Sequence, residues 1–400
     1  MITKHKPHSH HYYLYVIFLL VLLVSSYVAY ALLRPLPLIK PQSITPPRLE
    51  TGASTIAWPD VGSAAVGTSA WGVLASHNDT PRPTASTIKL LTALTVLRAK
   101  PFTPDSQGTS LTLDNTDVAF YESEQARGGS IVPVIVGETI TERQALEALL
   151  LPSANNMATT LATWAYGSMP TYIASANQLA KSLGMQTTNV ADASGFSSLT
   201  TSTSHDLIEL GIAALKNPVI ASIMSEESAL LPIVGMVHNV NTLLGTNNII
   251  GGKTGNTPEA GGCFIGISHS IKDGHEVMVI SAVMNTPSLE SALDATPSLV
   301  SSAEQNIVDT PLFTISDPVA TYTVPWSSST FHVVVSQSTM PLRWLDEPVH
   351  SVIYSTPVLV GQKEAGDIST TIRQIRYTTH LELDHPIPPP SLLWRLTHIV

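Results

Sequence analysis

The sequence has one cysteine, few charges, no long run of like charge and no internal repeat. A lone Cys263 cannot form an intramolecular disulfide, so the fold rests on core burial instead of covalent staples. It sits in the strand-like run "GGCFIGIS", where it reads as a buried small hydrophobe. Charged residues make up 12% of the chain, about half the usual share. Their balance of −10 leaves no basic stripe to neutralise phosphates, which argues against nucleic acid as a partner. The missing repeat excludes a solenoid, and the missing charge block excludes a charged interaction tail.

Charge is absent altogether from Tyr12 to Leu33. At about 1.5 Å per residue that run is roughly 33 Å long, enough to cross a bilayer as a helix. Lys4 and Lys6 precede it, so the positive-inside rule keeps residues 1–11 cytoplasmic and exports the rest. The run is longer than a signal-peptide core and has aromatic residues at both ends, which favours an uncleaved anchor over residues 12–33. The rival reading is a cleaved signal peptide, with Ala29-Tyr30-Ala31 as its cleavage motif. On either reading the body of the protein works outside the cytoplasm, held at the cell membrane in the first. His5, His8, His10 and His11 read as a soft polar tail and not as a metal site. No metal or other cofactor is expected.

Four hundred residues can hold more than one domain. Five prolines between residues 35 and 47 mark 34–51 as a stiff linker. Residues 52–310 mix helix and strand signals. Thr141 and Gln144 have capping-box spacing before "ALEALL", and Pro152 ends that helix. "PTYIASANQLAKSLG" reads as a helix closed by Gly184, and Thr203 with Asp206 as a second capping box. "GGCFIGISHS" and "HEVMVISAVM" read as strands of a hairpin turning at Lys272-Asp273-Gly274, and a last helix covers about 288–308. Residues 311–386 carry short β-rich runs split by Pro, Ser and Gly, as in a small all-β domain. Prolines then set off a tail, 387–400, which is too short and too weakly basic to read as a membrane helix and is expected to pack on its own domain.

Three stretches carry chemistry. In "PTASTIKLLTAL", Ser86 and Lys89 stand one turn apart at the start of an apolar helix. A serine on a first helical turn has its N–H free where an oxyanion could form. Burial and the helix dipole disfavour an ammonium at position 89, and a neutral lysine can take the Ser86 proton. Alone, the pair also fits an N-cap serine beside an unrelated lysine. In "LLLPSANNMATT", Ser153 follows a helix-ending proline, so it stands at a joint that can face a cleft, and Asn155 supplies an amide two residues on. The same tripeptide recurs at Ser175-Ala176-Asn177, inside an unbroken helix, where it reads as surface polarity. In "GGKTGNT", Lys253 offers a positive charge and Thr254 a hydroxyl for a substrate carboxylate, while Gly255 permits close approach by a ligand.

Together and in this order, the motifs S-x-x-K, S-x-N and K-T-G are those of penicillin-binding proteins and class A β-lactamases. The chain resembles most the low-molecular-mass penicillin-binding proteins, the D-alanyl-D-alanine carboxypeptidase family of serine peptidases. The resemblance spans about residues 60–285 and includes "GGSIVPVIVGETITERQALEALLLPSANNMA", "DASGFSS" and "NVNTLLG". It implies an α+β class of β-lactamase and penicillin-binding-protein type: an antiparallel sheet flanked by helices, plus a helical lobe carrying Ser153. A small C-terminal all-β domain is common in that family. Carried over by motif, Ser86 forms the acyl-enzyme with Lys89 as base, and Ser153 relays a proton. Asn155 binds the substrate backbone, and Lys253 and Thr254 hold its carboxylate. Gly255 and Asn256 complete the substrate strand, with the Ser86 and Asn256 N–H groups as oxyanion hole. Ala154 stands where the family often has glycine and Asn256 where a larger ring is frequent.

The implied partners are peptidoglycan stem peptides, with β-lactams as covalent inhibitors. The implied activity is removal of the terminal D-alanine. Three alternatives stay open on the same fold: a D,D-endopeptidase, a β-lactamase, and a catalytically silent peptidoglycan-binding protein. "DASGFSS" offers no glutamate for activating a deacylating water, which opposes the β-lactamase.

Overall fold

A computed structural model describes residues 9–45, 52–272, 274–309, 311–337 and 340–398. The chain divides into two compact units, Ala53–Val308 and Met1–Gly52 with Asp309–Val400. The first contains, in chain order, β1 (Ser63–Thr68), β2 (Gly72–His77), α1 (Lys89–Ala99), α2 (Asn115–Ala126), α3 (Glu142–Leu150), α4 (Asn155–Tyr166), α5 (Met169–Ser182), α6 (Ser204–Lys216), β3 (Ile249–Thr257), β4 (Gly261–Lys272), β5 (His275–Thr286) and α7 (Leu289–Gln305).

Its main sheet is antiparallel throughout, in the order β3-β4-β5-β1-β2. Both faces of this sheet are covered. A Cβ on Gly211 of α6 would touch Ile280 and Ile265, whereas one on Gly266 would approach Ser281 and Thr296 of α7. Successive strand residues point to opposite faces, so Ile265 and Gly266, and likewise Ile280 and Ser281, assign the two helices to opposite sides. That double burial accounts for the near-continuous apolar runs of β4 and β5, and it covers Cys263 completely.

The remaining helices form a lobe in which α2, α3 and α5 pack on α4, and α4 and α5 on α1. Leu90, Leu91, Ala93 and Val96 are all fully buried, so α1 is a core helix exposed only at its end, at Arg98 and Ala99. The Thr141–Gln144 capping box forms in both directions at the start of α3. The second box forms by half. Thr203 accepts from the Asp206 N–H, but the Asp206 carboxylate accepts from Thr187 and Thr188 instead of reaching back. A carboxylate with three nearby donors on a preceding loop is better satisfied there than by one backbone N–H. In the predicted β4–β5 hairpin, Lys272 pairs with His275, and Asp273 lies outside the described residues.

The second unit is a six-stranded antiparallel sheet in the order Ser43–Ile44, Pro318–Val324, Ser327–Val335, Ile375–Leu383, Glu364–Ile372, His350–Ser355. The proline-rich segment is not a free spacer up to residue 45. Ile39 is buried in this unit's core and bridges to Val358, and Ser43–Ile44 pairs with Thr321 and Ala320. Proline suits such an edge position because its missing N–H is not needed there. The helix Ser9–Leu33 contains a span, His11–Leu33, long and apolar enough to cross a membrane. In the tail, Trp394 stands edge-on to Trp326. It also caps the apolar helix: Arg395 donates to the carbonyls of Leu32 and Arg34, and the Tyr27 hydroxyl donates to Leu396 O.

Candidate active site

Thr84 begins the site without acting as a side-chain cap. The next four residues, Ala85–Ile88, form a 3₁₀ turn that runs directly into α1 at Lys89. The sequence predicts one α-helix through both Ser86 and Lys89, and the tighter turn matters. Side chains three apart eclipse in a 3₁₀ helix, so the two align. Lys89 Nζ donates to Ser86 Oγ at 2.6 Å. Ala85 takes a left-handed φ of 44°, a conformation that stores backbone strain in a non-glycine residue. The "DASGFSS" loop encloses the turn so tightly that a Cβ on Gly195 would lie 1.9 Å from Ala85 O.

Ser153 stands at the joint between α3 and α4, also with a left-handed φ, 66°. That kink turns it inward. Its Oγ accepts from Lys89 Nζ at 3.2 Å and from Lys253 Nζ at 3.0 Å. Asn155, the first residue of α4, accepts from Lys89 Nζ through Oδ1 at 2.6 Å. The duplicate Ser175 lies within α5 and takes no part in this cluster.

Lys253 lies on β3, an edge strand of the sheet. Lys253 and Gly255 share one face of the strand, and Thr254 and Asn256 start from the other, Thr254 buried and Asn256 exposed. At Gly255 another part of the chain comes close. A Cβ there would sit 2.8 Å from Ser86 N and 3.1 Å from Thr87 N. The close approach is by the Ala85–Ile88 turn, and glycine at 255 lets the Ser86 amide come against β3.

Both lysines are buried with little charge to support them. Burial holds Lys89 well below the ordinary lysine range, the neighbouring Lys253 charge lowers it further, and Asp192 and Glu124 oppose the shift. Burial alone lowers Lys253 to about 7. A buried amine whose charge is disfavoured, hydrogen-bonded to a serine hydroxyl, is an arrangement that can activate a nucleophile. Among the described residues, no group of three or more His, Cys, Asp or Glu side chains is placed to hold a metal.

One member of the site lies outside every motif. Glu124, buried at the end of α2, accepts from Asn155 Nδ2 at 3.0 Å. Its contact spans 31 residues, and no local pattern in "FYESEQARGG" announces it.

The profile of the family described as D-alanyl-D-alanine carboxypeptidase matches residues 66–288, more than half of the chain. The chain belongs to the D-alanyl-D-alanine carboxypeptidase family. The D-alanyl-D-alanine carboxypeptidase DacB2 of Mycobacterium tuberculosis is 37% identical over 191 residues, which is 46% of this chain and 61% of that protein. A D-alanyl-D-alanine endopeptidase of Escherichia coli is 30% identical over 48% of this chain and 61% of its own length. The chain thus spans less than two thirds of either relative. Among solved structures, a D-alanyl-D-alanine carboxypeptidase of Mycobacterium tuberculosis is 29% identical, with a TM-score of 0.53 over 67% of this chain and 96% of that one. A Streptomyces DD-transpeptidase is 25% identical, with a TM-score of 0.54 over 65% and 98%. The α+β fold is therefore the penicillin-binding-protein fold, and all the matches to curated relatives cover only about half of this chain.

Proposed function

We propose that this member of the family is a serine D,D-carboxypeptidase that removes the terminal D-alanine from peptidoglycan stem peptides through an acyl-enzyme on Ser86. The observation that carries the reading is the Lys89–Ser86 contact of 2.6 Å inside a cluster with Ser153, Asn155 and Lys253. In the forward step Lys89 takes the hydroxyl proton as Ser86 Oγ attacks the carbonyl of the penultimate D-alanine. The oxyanion is held by the N–H groups of Ser86 and Asn256. Ser153, bridging both lysines, passes a proton to the departing amine of D-alanine. Water then releases the shortened peptide by the reverse route. Asn155 binds the substrate backbone. Lys253, with Thr254 beside it, pairs with the terminal carboxylate, which favours a chain end over an internal bond.

An endopeptidase reading has support in the relatives of that name. Incubating the protein with free pentapeptide and with a cross-linked dimer separates the two. The carboxypeptidase reading expects D-alanine from the pentapeptide and an uncut dimer, and cleavage of the dimer alone would replace it.

The lysines make the reaction pH-dependent in a stated direction. Lys89 must be neutral to act, so kcat/KM rises as pH climbs through its lowered pKa. Lys253 must be charged to pair with the carboxylate, so kcat/KM falls as pH climbs through about 7. The bound carboxylate favours the ammonium, so the falling limb of kcat lies at higher pH than that of kcat/KM. A pH profile on pentapeptide checks this, and a kcat/KM still rising above pH 9 would contradict it.

The same reading makes His11–Leu33 a membrane anchor, with the chain beyond it outside the cytoplasm. Intact protein then stays with membranes through alkaline carbonate washing, and external protease digests the rest of the chain. A soluble form beginning at Leu32 would make the segment a cleaved signal peptide.

A further inference from the structure

Asn155 is buried, and its amide has two chemically different ends. Lys89 meets the oxygen end at 2.6 Å and Glu124 meets the nitrogen end at 3.0 Å. A carboxylate only accepts hydrogen bonds, so only the NH2 can face it, and the oxygen is left facing Lys89. The second Glu124 oxygen accepts from Arg127 Nη2 at 2.9 Å, and the Arg127 guanidinium lies over the Phe196 ring at 4.4 Å. Both carboxylate oxygens are thus bound to donors on different elements.

Gly129 gives an independent sign that this contact is built for. A Cβ at 129 would lie 2.7 Å from Asn155 Nδ2 and 2.7 Å from Glu124 Oε2, in the gap where their hydrogen bond runs. Gly129 does not adopt a left-handed φ, so space for that bond, and not backbone freedom, is what glycine supplies.

We propose that Glu124 is a positioning residue for the Ser86 nucleophile: it fixes the Asn155 amide so that the oxygen, and not the NH2, receives Lys89. This rests on the acyl-transfer reading above. In the neutral state that takes the Ser86 proton, Lys89 has two hydrogens, which go to Asn155 Oδ1 and Ser153 Oγ, and its lone pair then faces the Ser86 hydroxyl. Glutamine at 124 cannot serve both donors, because its side chain has one accepting oxygen. Either Arg127 or the Asn155 NH2 then faces another NH2, and flipping Asn155 to relieve the clash turns a donor toward Lys89. The charges around Lys89 are Lys253 from β3, Asp192 from the enclosing loop and Glu124 from α2. Removing the Glu124 charge takes away one of the two groups that favour the Lys89 ammonium, so the acidic limb moves to lower pH.

The test is the second-order rate of penicillin acylation, followed by mass against pH, in the wild type, Glu124→Gln and Gly129→Ala. The loss of a charge-assisted contact predicts a fall of about tenfold or more for Glu124→Gln, with its acidic limb shifted to lower pH. Gly129→Ala slows acylation comparably but keeps the carboxylate, so its limb stays in place. A wild type that forms no adduct counts against acyl transfer itself. A labelled wild type matched in rate by Gly129→Ala, or a Glu124→Gln variant whose limb does not move, overturns the Glu124 assignment alone.

Discussion

Ser86→Ala abolishes covalent labelling by a penicillin while the protein stays folded. The β-lactam amide occupies the place of the acyl-D-alanyl-D-alanine bond, and its carbonyl needs a nucleophile at the mouth of the Lys89–Ser153–Lys253 cluster. Ser86 Oγ is the hydroxyl that Lys89 approaches most closely, at 2.6 Å against 3.2 Å for Ser153. Ser86 is not a capping residue, since Thr84 stands at the cap of the 3₁₀ turn and Ile88 at that of α1. Its removal leaves Lys89 with two other partners, Ser153 and Asn155. The cost to stability is therefore about 1 kcal/mol or less, whereas the loss of labelling is complete. Lys89→Ala keeps the nucleophile and removes its base, which slows acylation by about 10²- to 10⁴-fold. Mass analysis of the peptide containing "ASTIK" reads both outcomes, and an adduct persisting in Ser86→Ala would move the nucleophile elsewhere.

Lys253→Ala cuts release of D-alanine from a free pentapeptide by roughly 10- to 150-fold in kcat/KM. That range is about 1.5 to 3 kcal/mol, the contribution of one hydrogen bond to a charged group. The burial that lowers Lys253 to about 7 also sharpens the requirement, because the lysine gains most from a carboxylate that restores its charge. A substrate with an amidated C-terminus offers no such charge and loses much less. Equal losses on both substrates would remove carboxylate pairing as the role of Lys253. The argument for a chain-end preference would go with it.

The site was legible where its parts are local. Ser86 and Lys89 sit three residues apart, and a helix-ending proline distinguishes Ser153 from Ser175 without reference to the fold. What pattern alone could not supply is long-range. Glu124 reaches Asn155 across the lobe, and Gly255 is required by a turn some 170 residues earlier in the chain, so neither leaves a trace in its own neighbourhood. The 3₁₀ turn at Ala85 was also hidden, because apolar spacing over so few residues fits either helix type. The proline-rich segment misled in the opposite way. Its composition suggests a free spacer, but Ile39 is one apolar residue with a core to enter, and its burial draws the segment onto the sheet.

The central claim, a Ser86 acyl-enzyme acting on a peptide that ends in D-alanyl-D-alanine, is tested most directly by mass analysis of a purified stem pentapeptide incubated with the protein. The account predicts equal amounts of free D-alanine and tetrapeptide, with no product when Ser86→Ala replaces the wild type. Pentapeptide left intact by a protein that still labels with penicillin, or cut at any other bond, would contradict it.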